Sequence, residues 1–165
     1  MNSDTNNVQG INNKILTQLF KKHGFKVKAI NKVNTGRFNQ TYIGEIIDSD
    51  KIIDNKIVDN NKGKYGQSRI VLRIAPLEEA GFVFYEKQMM AREPKIHEIV
   101  REKTSLPVPK IYVYDRERDL IDRDFLLMEY LPGTPLSEMT LSRKQRERVM
   151  QTTGYYLRQL HDNCQ

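Results

Sequence analysis

The sequence predicts an α+β fold in which a five-stranded antiparallel sheet carries one long helix after its third strand. Two patterns of apolar residues indicate this fold. Short segments alternate between apolar and polar residues, whereas longer segments repeat their apolar residues at helical spacing. Glycine, proline and polar residues separate these segments and mark the turns between them. A further helix is predicted at each end of the chain.

The five predicted strands are rich in β-branched and aromatic residues. They comprise residues 25–33, 38–47, 69–74, 108–114 and 125–130. In the third strand Ile70, Leu72 and Ile74 share one face, which leaves Arg73 on the opposite face. The polar residues 48–67 before that strand are expected to form a long hairpin excursion.

The three predicted helices differ in how clearly their ends are marked. Residues 11–20 are amphipathic and are expected to pack on the outside of the elements that follow, with His23-Gly24 as the last turn and C-terminal stop. Residues 82–103 contain Pro94, so that helix either kinks there or begins anew with Pro94 in its first turn. Ser142 and Gln145 have the spacing of a capping box that starts the last helix. The apolar stripe of that helix consists of Val149, Thr153, Tyr156, Leu157 and Leu160.

The composition is that of a globular protein, with 38% hydrophobic and 29% charged residues and a mean hydropathy of −0.65. No stretch is apolar enough to span a membrane, and the N-terminus lacks the pattern of a signal peptide, so a cytoplasmic location is the default expectation. Cys164 is the single cysteine and has no partner for a disulfide or a zinc site.

The net charge of +6 raises the question of nucleic-acid binding. The densest basic runs, residues 21–28 and 143–148, are interrupted by apolar or acidic residues. Neither run is interleaved with the aromatic residues on which single-stranded bases stack. The charge distribution therefore favours solvated helix faces over a nucleic-acid interface.

Two motifs suggest a binding site for an anion. In the turn of residues 34–37, Gly36 would let the backbone approach phosphate oxygens, although an ordinary hairpin turn explains the same residues. Arg73 lies within an apolar strand and needs an anionic partner, which Glu93 on the following helix could provide. The alternative is an exposed arginine at a sheet edge.

A third motif suggests a surface for a flat heterocycle. The apolar strand 125–131 runs into the break at Pro132-Gly133, so its end offers unpaired backbone groups, with Met128 as a soft wall beside them. A core strand that ends in a turn is the alternative. His97 and His161 are interpreted as surface or packing residues, because neither has a second metal ligand nearby.

The order of these pieces along the chain resembles that of the aminoglycoside phosphotransferase and choline kinase-like superfamily. The resemblance spans residues 25–161. It is carried by segments 34–42, 71–73, 92–93, 106–111, 125–135 and 157–161.

This resemblance implies a protein-kinase-like small lobe that closes over ATP, with Mg²⁺ in the complete enzyme. It divides the chain into an N-terminal extension and helix (1–24), a nucleotide-binding lobe (25–131), and the hinge exit with the first helix of a large lobe (132–165).

The resemblance also assigns roles to individual residues. Arg73 takes the place of a phosphate-anchoring residue that is commonly lysine, and Glu93 is the carboxylate that pairs with it. The adenine hinge would use the carbonyl of Glu129 and the N–H of Leu131, with Tyr130 between them and Met128 as gatekeeper. The phosphate-covering loop would contain Thr35, Gly36, Arg37 and Asn39.

The family's catalytic loop, of the form HGDxxxxN, and its later metal-binding aspartate would follow the pair Leu160-His161. Residues 161–163 are interpreted as a helix end and not as that loop. The chain alone is therefore expected to be inactive and to lack the Mg²⁺ ligands. The complete enzyme would transfer the γ-phosphate of ATP to a hydroxyl of an aminoglycoside-like or other small molecule.

The expected partners follow from the same resemblance. They are a nucleotide, and a small-molecule substrate only with the missing large lobe. Self-association through the C-terminal helix is a further expectation. A non-catalytic binding or assembly module built on the same lobe is the alternative function.

Overall fold

The structure, a computed structural model, describes residues 11–34, 39–47, 52–53, 56–57, 69–76 and 89–164. Its helices are α1 (Asn13–Lys22), α2 (Met89–Lys103) and α3 (Arg143–Asn163), and Leu136–Glu138 form one 3₁₀ turn. Its strands are β1 (Val27–Val33), β2 (Gln40–Ile46), β3 (Ile52–Ile53), β4 (Lys56–Ile57), β5 (Arg69–Ile74), β6 (Ile111–Asp115) and β7 (Phe125–Glu129).

Five strands form one antiparallel sheet in the order β1-β2-β5-β7-β6. The predicted α+β fold is therefore confirmed, and β5 is the central strand. Within the predicted excursion, β3 and β4 form a separate two-stranded antiparallel sheet that the sequence did not indicate.

Strands β1, β2 and β6 begin later than predicted. For β1 and β6 the shift has a cause in the backbone hydrogen bonds. The N–H of Phe25 bonds to the carbonyl of Phe20 and so continues the end of α1, which delays β1 until Val27. Pro109 has no N–H to give to a strand, and β6 begins at Ile111.

Helix α1 covers one face of the sheet, as predicted. Asn12 caps its N-terminus by accepting a hydrogen bond from the N–H of Ile15 at 3.0 Å. The helix buries its apolar face against Ile70, Leu72 and Ile74 of β5. The buried residues of this core are Leu16, Leu19, Phe20, Phe25, Tyr42, Ile70, Leu72, Ile74, Phe125 and Leu127.

Helix α2 lies on the opposite face of the sheet. Its buried Met90 packs against Leu126 and Met128 of β7, with Val71 of β5 at the edge of this smaller core. The helix runs through Pro94 without restarting, which excludes a new helix that begins with Pro94 in its first turn. Residues 82–88 of the predicted helix lie outside the described residues.

Helix α3 begins with the predicted capping box. The Ser142 side chain accepts from the N–H of Gln145, and the Gln145 side chain accepts from the N–H of Ser142 at 2.9 Å. None of the residues of α3 is buried, and Gln159 joins it to Ser105 through hydrogen bonds. Asp162 belongs to this helix and accepts a hydrogen bond from Arg158, one turn earlier.

None of the helices in the described ranges combines the length and the apolar character that crossing a membrane requires.

Candidate functional site

The candidate site is centred on Arg73, in the middle of the sheet on the α2 face. Because Leu72 and Ile74 are buried under α1, alternation along β5 directs Arg73 to the opposite face. There the Arg73 Nη1 atom lies 2.5 Å from Glu93 Oε2 on α2. The ion pair suggested by the sequence is present, and the alternative of an exposed edge arginine is excluded.

This ion pair is half-buried, with 27% of the Arg73 side chain and 17% of the Glu93 side chain exposed. A guanidinium carries five N–H donors, and Glu93 occupies one nitrogen. Within the described residues, Arg73 makes no other hydrogen bond. The remaining donors are thus available to an anion that reaches the exposed part of the Arg73 side chain.

Two rows of residues cross the sheet at this site. One row pairs Arg73 with Thr41 on β2 and with Leu126 on β7. The neighbouring row pairs Val71 with Ile43 on β2 and with Met128 on β7. The second row forms an apolar surface next to the cation of the first.

Sequence reasoning missed Thr41, Ile43 and Val71 as members of this site. Tyr42 and Gly44 face α1, so alternation along β2 places Thr41 and Ile43 on the same face as Arg73. All three missed side chains are half-buried. The alternation in β2 was the signal that could have found them.

Met128, the predicted gatekeeper, is only 4% exposed. It packs against Met90 and Leu126 and so forms the floor of the apolar row. A ligand on this row would contact the more exposed Ile43 and Val71 before it reached Met128.

The predicted hinge begins where β7 ends. Both the main chain and the side chain of Glu129 are engaged by Lys110: the Glu129 N–H donates to the Lys110 carbonyl at 2.8 Å, and Glu129 Oε2 accepts from the Lys110 N–H at 3.0 Å. The Arg69 guanidinium lies over the Tyr130 ring, with its Cζ atom 5.4 Å from the ring centroid. No hydrogen bond among the described residues uses the N–H of Leu131, which leaves this donor available.

The predicted phosphate loop is described only at its end. Thr35, Gly36 and Arg37 lie outside the described residues. Asn39 is half-buried and directly precedes β2. Because Gln40 pairs with Ile74, Asn39 lies near the end of β5 that carries Arg73.

A cluster of carboxylates lies elsewhere, at the end of β6. Oxygens of Asp115, Glu117 and Asp119 lie within 4.8 Å of one another. Lys22 contacts all three at 2.6 to 2.8 Å, and His23 contacts Asp115 at 2.7 Å. The Lys22 ammonium group therefore offsets part of the negative charge of the cluster, and these contacts join α1 to β6.

This network shifts the ionisation of its members. Burial alone would lower the pKa of Lys22, but its hydrogen bonds to Asp115, Asp119 and Glu117 raise that pKa above its usual range. Burial likewise acts to raise the pKa of Asp115, but hydrogen bonds from Lys22, the Glu117 N–H and His23 lower it overall. The charged forms of both groups are thus favoured in the folded protein.

Comparison with known proteins gives one informative match. Residues 52–163, more than half of the chain, match the model of the family described as APH, phosphotransferase enzyme family. No curated protein matches the chain.

Solved structures also match, among them the crystal structure of a candidate aminoglycoside phosphotransferase from Ralstonia eutropha JMP134. The match has 17% identity and a TM-score of 0.43, and it covers 74% of this chain and 29% of that chain. The likeness is too distant to support a functional argument. The chain spans less than a third of the length of that protein.

Proposed function

Since the chain belongs to the phosphotransferase enzyme family, we propose that it binds ATP on the α2 face of its sheet. The observation that carries this proposal is the Arg73–Glu93 ion pair beside an apolar row and an available N–H at Leu131. The phosphates of a nucleotide require a cation, and its base ring requires a flat apolar surface. The polar edge of the base requires a backbone hydrogen-bond donor.

The base would lie on the row of Ile43 and Val71, with Met128 beneath it. At the strand end, the N–H of Leu131 and the carbonyl of Glu129 would bond to the polar edge of adenine. Arg73 lies two residues along β5 from Val71, a separation of about 7 Å at the usual strand rise. The phosphates would extend over that distance toward the guanidinium.

Arg73 would bind the phosphates through a planar fork of donors. Glu93 accepts a hydrogen bond from one side of that fork and so fixes its orientation. In this proposal Thr35, Gly36, Arg37 and Asn39 cover the phosphates, and their roles rest on the family resemblance.

Bound Mg²⁺ would neutralise charge on the phosphates during transfer. Transfer also needs a carboxylate that orients the accepting hydroxyl. The printed sequence contains no HGDxxxxN motif. We therefore propose that these 165 residues bind the nucleotide without transferring phosphate, and that the complete enzyme phosphorylates a hydroxyl of an aminoglycoside-like or other small molecule.

A second candidate function is a non-catalytic binding or assembly module. Helix α3 favours it, because none of its residues is buried and Met150, Tyr155 and Leu157 are each about half or more exposed. Such a surface is typical of an interaction site.

Thermal-shift titration with Mg-ATP and with ADP separates the two functions. The ATP-binding proposal predicts a saturable rise in melting temperature that is reduced in Arg73→Ala. Arg143→Ala is the matched control, because its side chain is 94% exposed on α3 and should leave the rise unchanged. Absence of any saturable rise in the wild-type protein would favour the module instead.

A further inference from the structure

In the segment before β6, three consecutive carbonyl groups accept hydrogen bonds from other parts of the protein. The Val108 carbonyl accepts from Arg101 Nη1 at 3.0 Å, and the Pro109 carbonyl is 2.8 Å from His97 Nδ1. The Lys110 carbonyl accepts from the N–H of Glu129 at 2.8 Å. Because a carbonyl can only accept, Nδ1 of His97 carries the proton in this contact.

The Glu129 carboxylate completes this network. Its Oε2 atom accepts from the Lys110 N–H at 3.0 Å and lies 3.6 Å from Arg101 Nη1. Its side chain is 18% exposed, and that of Arg101 is 43% exposed. Arg101 thus contacts both the segment and the residue with which the hinge begins.

One face of α2 reaches both ends of the candidate site. Glu93, His97 and Arg101 are spaced four residues apart, so they follow one another along that face. Glu93 contacts Arg73, whereas His97 and Arg101 contact the segment 108–110. Pro107 and Pro109 restrict the backbone of this segment and make it a stiff connection.

We propose that His97, Arg101 and Glu129 form an α2–hinge clamp that positions the hinge for the base of the nucleotide. The proposal rests on the proposed ATP binding and assigns new roles within that site. Lys110 engages both the N–H and the side chain of Glu129. The Glu129 carbonyl and the following N–H of Leu131 are therefore presented to the base in one orientation.

The clamp is expected to act on the base and not on the phosphates. Its contacts lie at the strand end that carries the hinge, whereas the phosphates are assigned to Arg73. A purely structural network would instead change the affinity for both parts of the nucleotide together. Adenosine and tripolyphosphate, used as separate probes, distinguish these two roles.

The test measures dissociation constants of both probes by NMR titration of the 165-residue chain. Glu129→Ala should weaken adenosine binding about tenfold, the equivalent of one charge-assisted hydrogen bond. The dissociation constant for tripolyphosphate should stay within about twofold of the wild-type value. Glu129→Gln retains an acceptor for the Lys110 N–H and should fall between wild type and Glu129→Ala.

Glu147→Ala is the matched control. Glu147 forms an exposed ion pair with Arg143 on α3, far along the chain from the hinge, and its side chain is 57% exposed. Exposed pairs of this kind contribute little to stability. Binding of both probes should therefore be unchanged.

Unchanged adenosine affinity in folded Glu129→Ala would overturn the clamp alone, as would an equal loss for both probes. If Glu129→Ala does not fold, Arg101→Ala decides, because it leaves both Lys110–Glu129 hydrogen bonds in place. That variant should weaken adenosine binding about threefold, and no change would overturn the clamp. A wild-type protein that binds neither probe would overturn ATP binding and the clamp together.

Discussion

Arg73 is held by a single carboxylate in a half-buried position on the sheet. A charge in such a position is stabilised mainly by its partner, because water reaches it only in part. Glu93 therefore has two effects: it offsets the partial burial of the guanidinium, and it orients the donors that remain. Loss of Glu93 should affect stability and ligand binding at once.

We predict that Glu93→Ala lowers the free energy of unfolding by about 1–2 kcal/mol, a value reduced from that of fully buried pairs because Arg73 is 27% exposed. Urea unfolding measures this change. The same variant should bind tripolyphosphate more weakly than wild type. Unchanged stability together with unchanged tripolyphosphate affinity would contradict the role assigned to the pair.

The Asp115 network predicts a dependence of stability on pH. Hydrogen bonds from Lys22, Glu117 and His23 outweigh burial and hold the pKa of Asp115 below its ordinary value of 3.8. The unfolded chain therefore binds this proton more readily than the folded chain. The stabilisation is present above about pH 3.8 and is lost as the pH falls through the lower pKa of the folded state.

Urea unfolding of wild type and Asp115→Asn between about pH 2 and pH 6 tests this expectation, because the asparagine cannot titrate. The wild-type free energy of unfolding should fall more steeply toward acid than that of the variant. Parallel curves would show that Asp115 makes no difference to acid stability.

Some contacts of the candidate site and of the Asp115 network could be predicted from the identities of the residues, and others could not. A guanidinium inside an apolar strand needs a counter-charge, and Glu93 follows on the next helix, so this pair could be predicted from local patterns. Lys22 and Asp115 could not, because only the packing of α1 beside β6 brings residues so distant in sequence together. Alternation in β2 could have placed Thr41 and Ile43 on the face of Arg73, but their pairing with Arg73 and Val71 depends on strand register, which alternation alone does not define.

At the scale of elements, the contact between α1 and the sheet depends on a glycine. A Cβ atom added at Gly44 of β2 would lie 2.9 Å from Phe20 Cζ and 2.9 Å from Val27 Cγ1. Both neighbours belong to packed parts of the protein, and Phe20 is fully buried. The helix can approach β2 this closely only because no side chain intervenes.

Gly44→Ala should therefore lower the free energy of unfolding by about 1–3 kcal/mol, the usual cost of overpacking a core. Gly154→Ala on α3 is the matched control, because an added Cβ meets nothing within 4 Å there. It should raise helix stability by up to about 1 kcal/mol. Chemical denaturation of both variants measures these changes in the free energy of unfolding. Equal changes in the two variants would contradict the close approach of α1 to β2.

The elements themselves were largely predictable, because periodicity and capping residues are local signals. The capping box of α3 and the two-faced pattern of β5 are examples. Strand ends were less predictable, since β1 begins only after the N–H of Phe25 has bonded to Phe20. The sheet order depends on pairing between distant segments, which no local pattern contains.

At the scale of the whole molecule, one end of the protein differs from the rest. The sheet has a buried core on each face, whereas α3 exposes large apolar side chains. The exposed side chains of α3 and the turn before it are Leu136, Met139, Met150, Tyr155 and Leu157. Exposed large apolar side chains of this kind favour association between molecules.

We predict that the 165-residue chain self-associates as its concentration rises, with α3 at the contact. Sedimentation velocity measures this association. Leu157→Glu places a charge on the exposed apolar surface and should shift the protein toward monomer. A wild-type protein that remains monomeric at high concentration would contradict this expectation.

The central claim is that ATP binds on the α2 face of the sheet, between Arg73 and the hinge. Titration of the ¹⁵N-labelled chain with ATP, observed through its backbone amides, tests that claim most directly. Saturable shifts at Ile43, Val71 and Leu131, with Leu16 and Leu19 of α1 unaffected, are the predicted result. No saturable shift, or shifts confined to the α1 face, would contradict it.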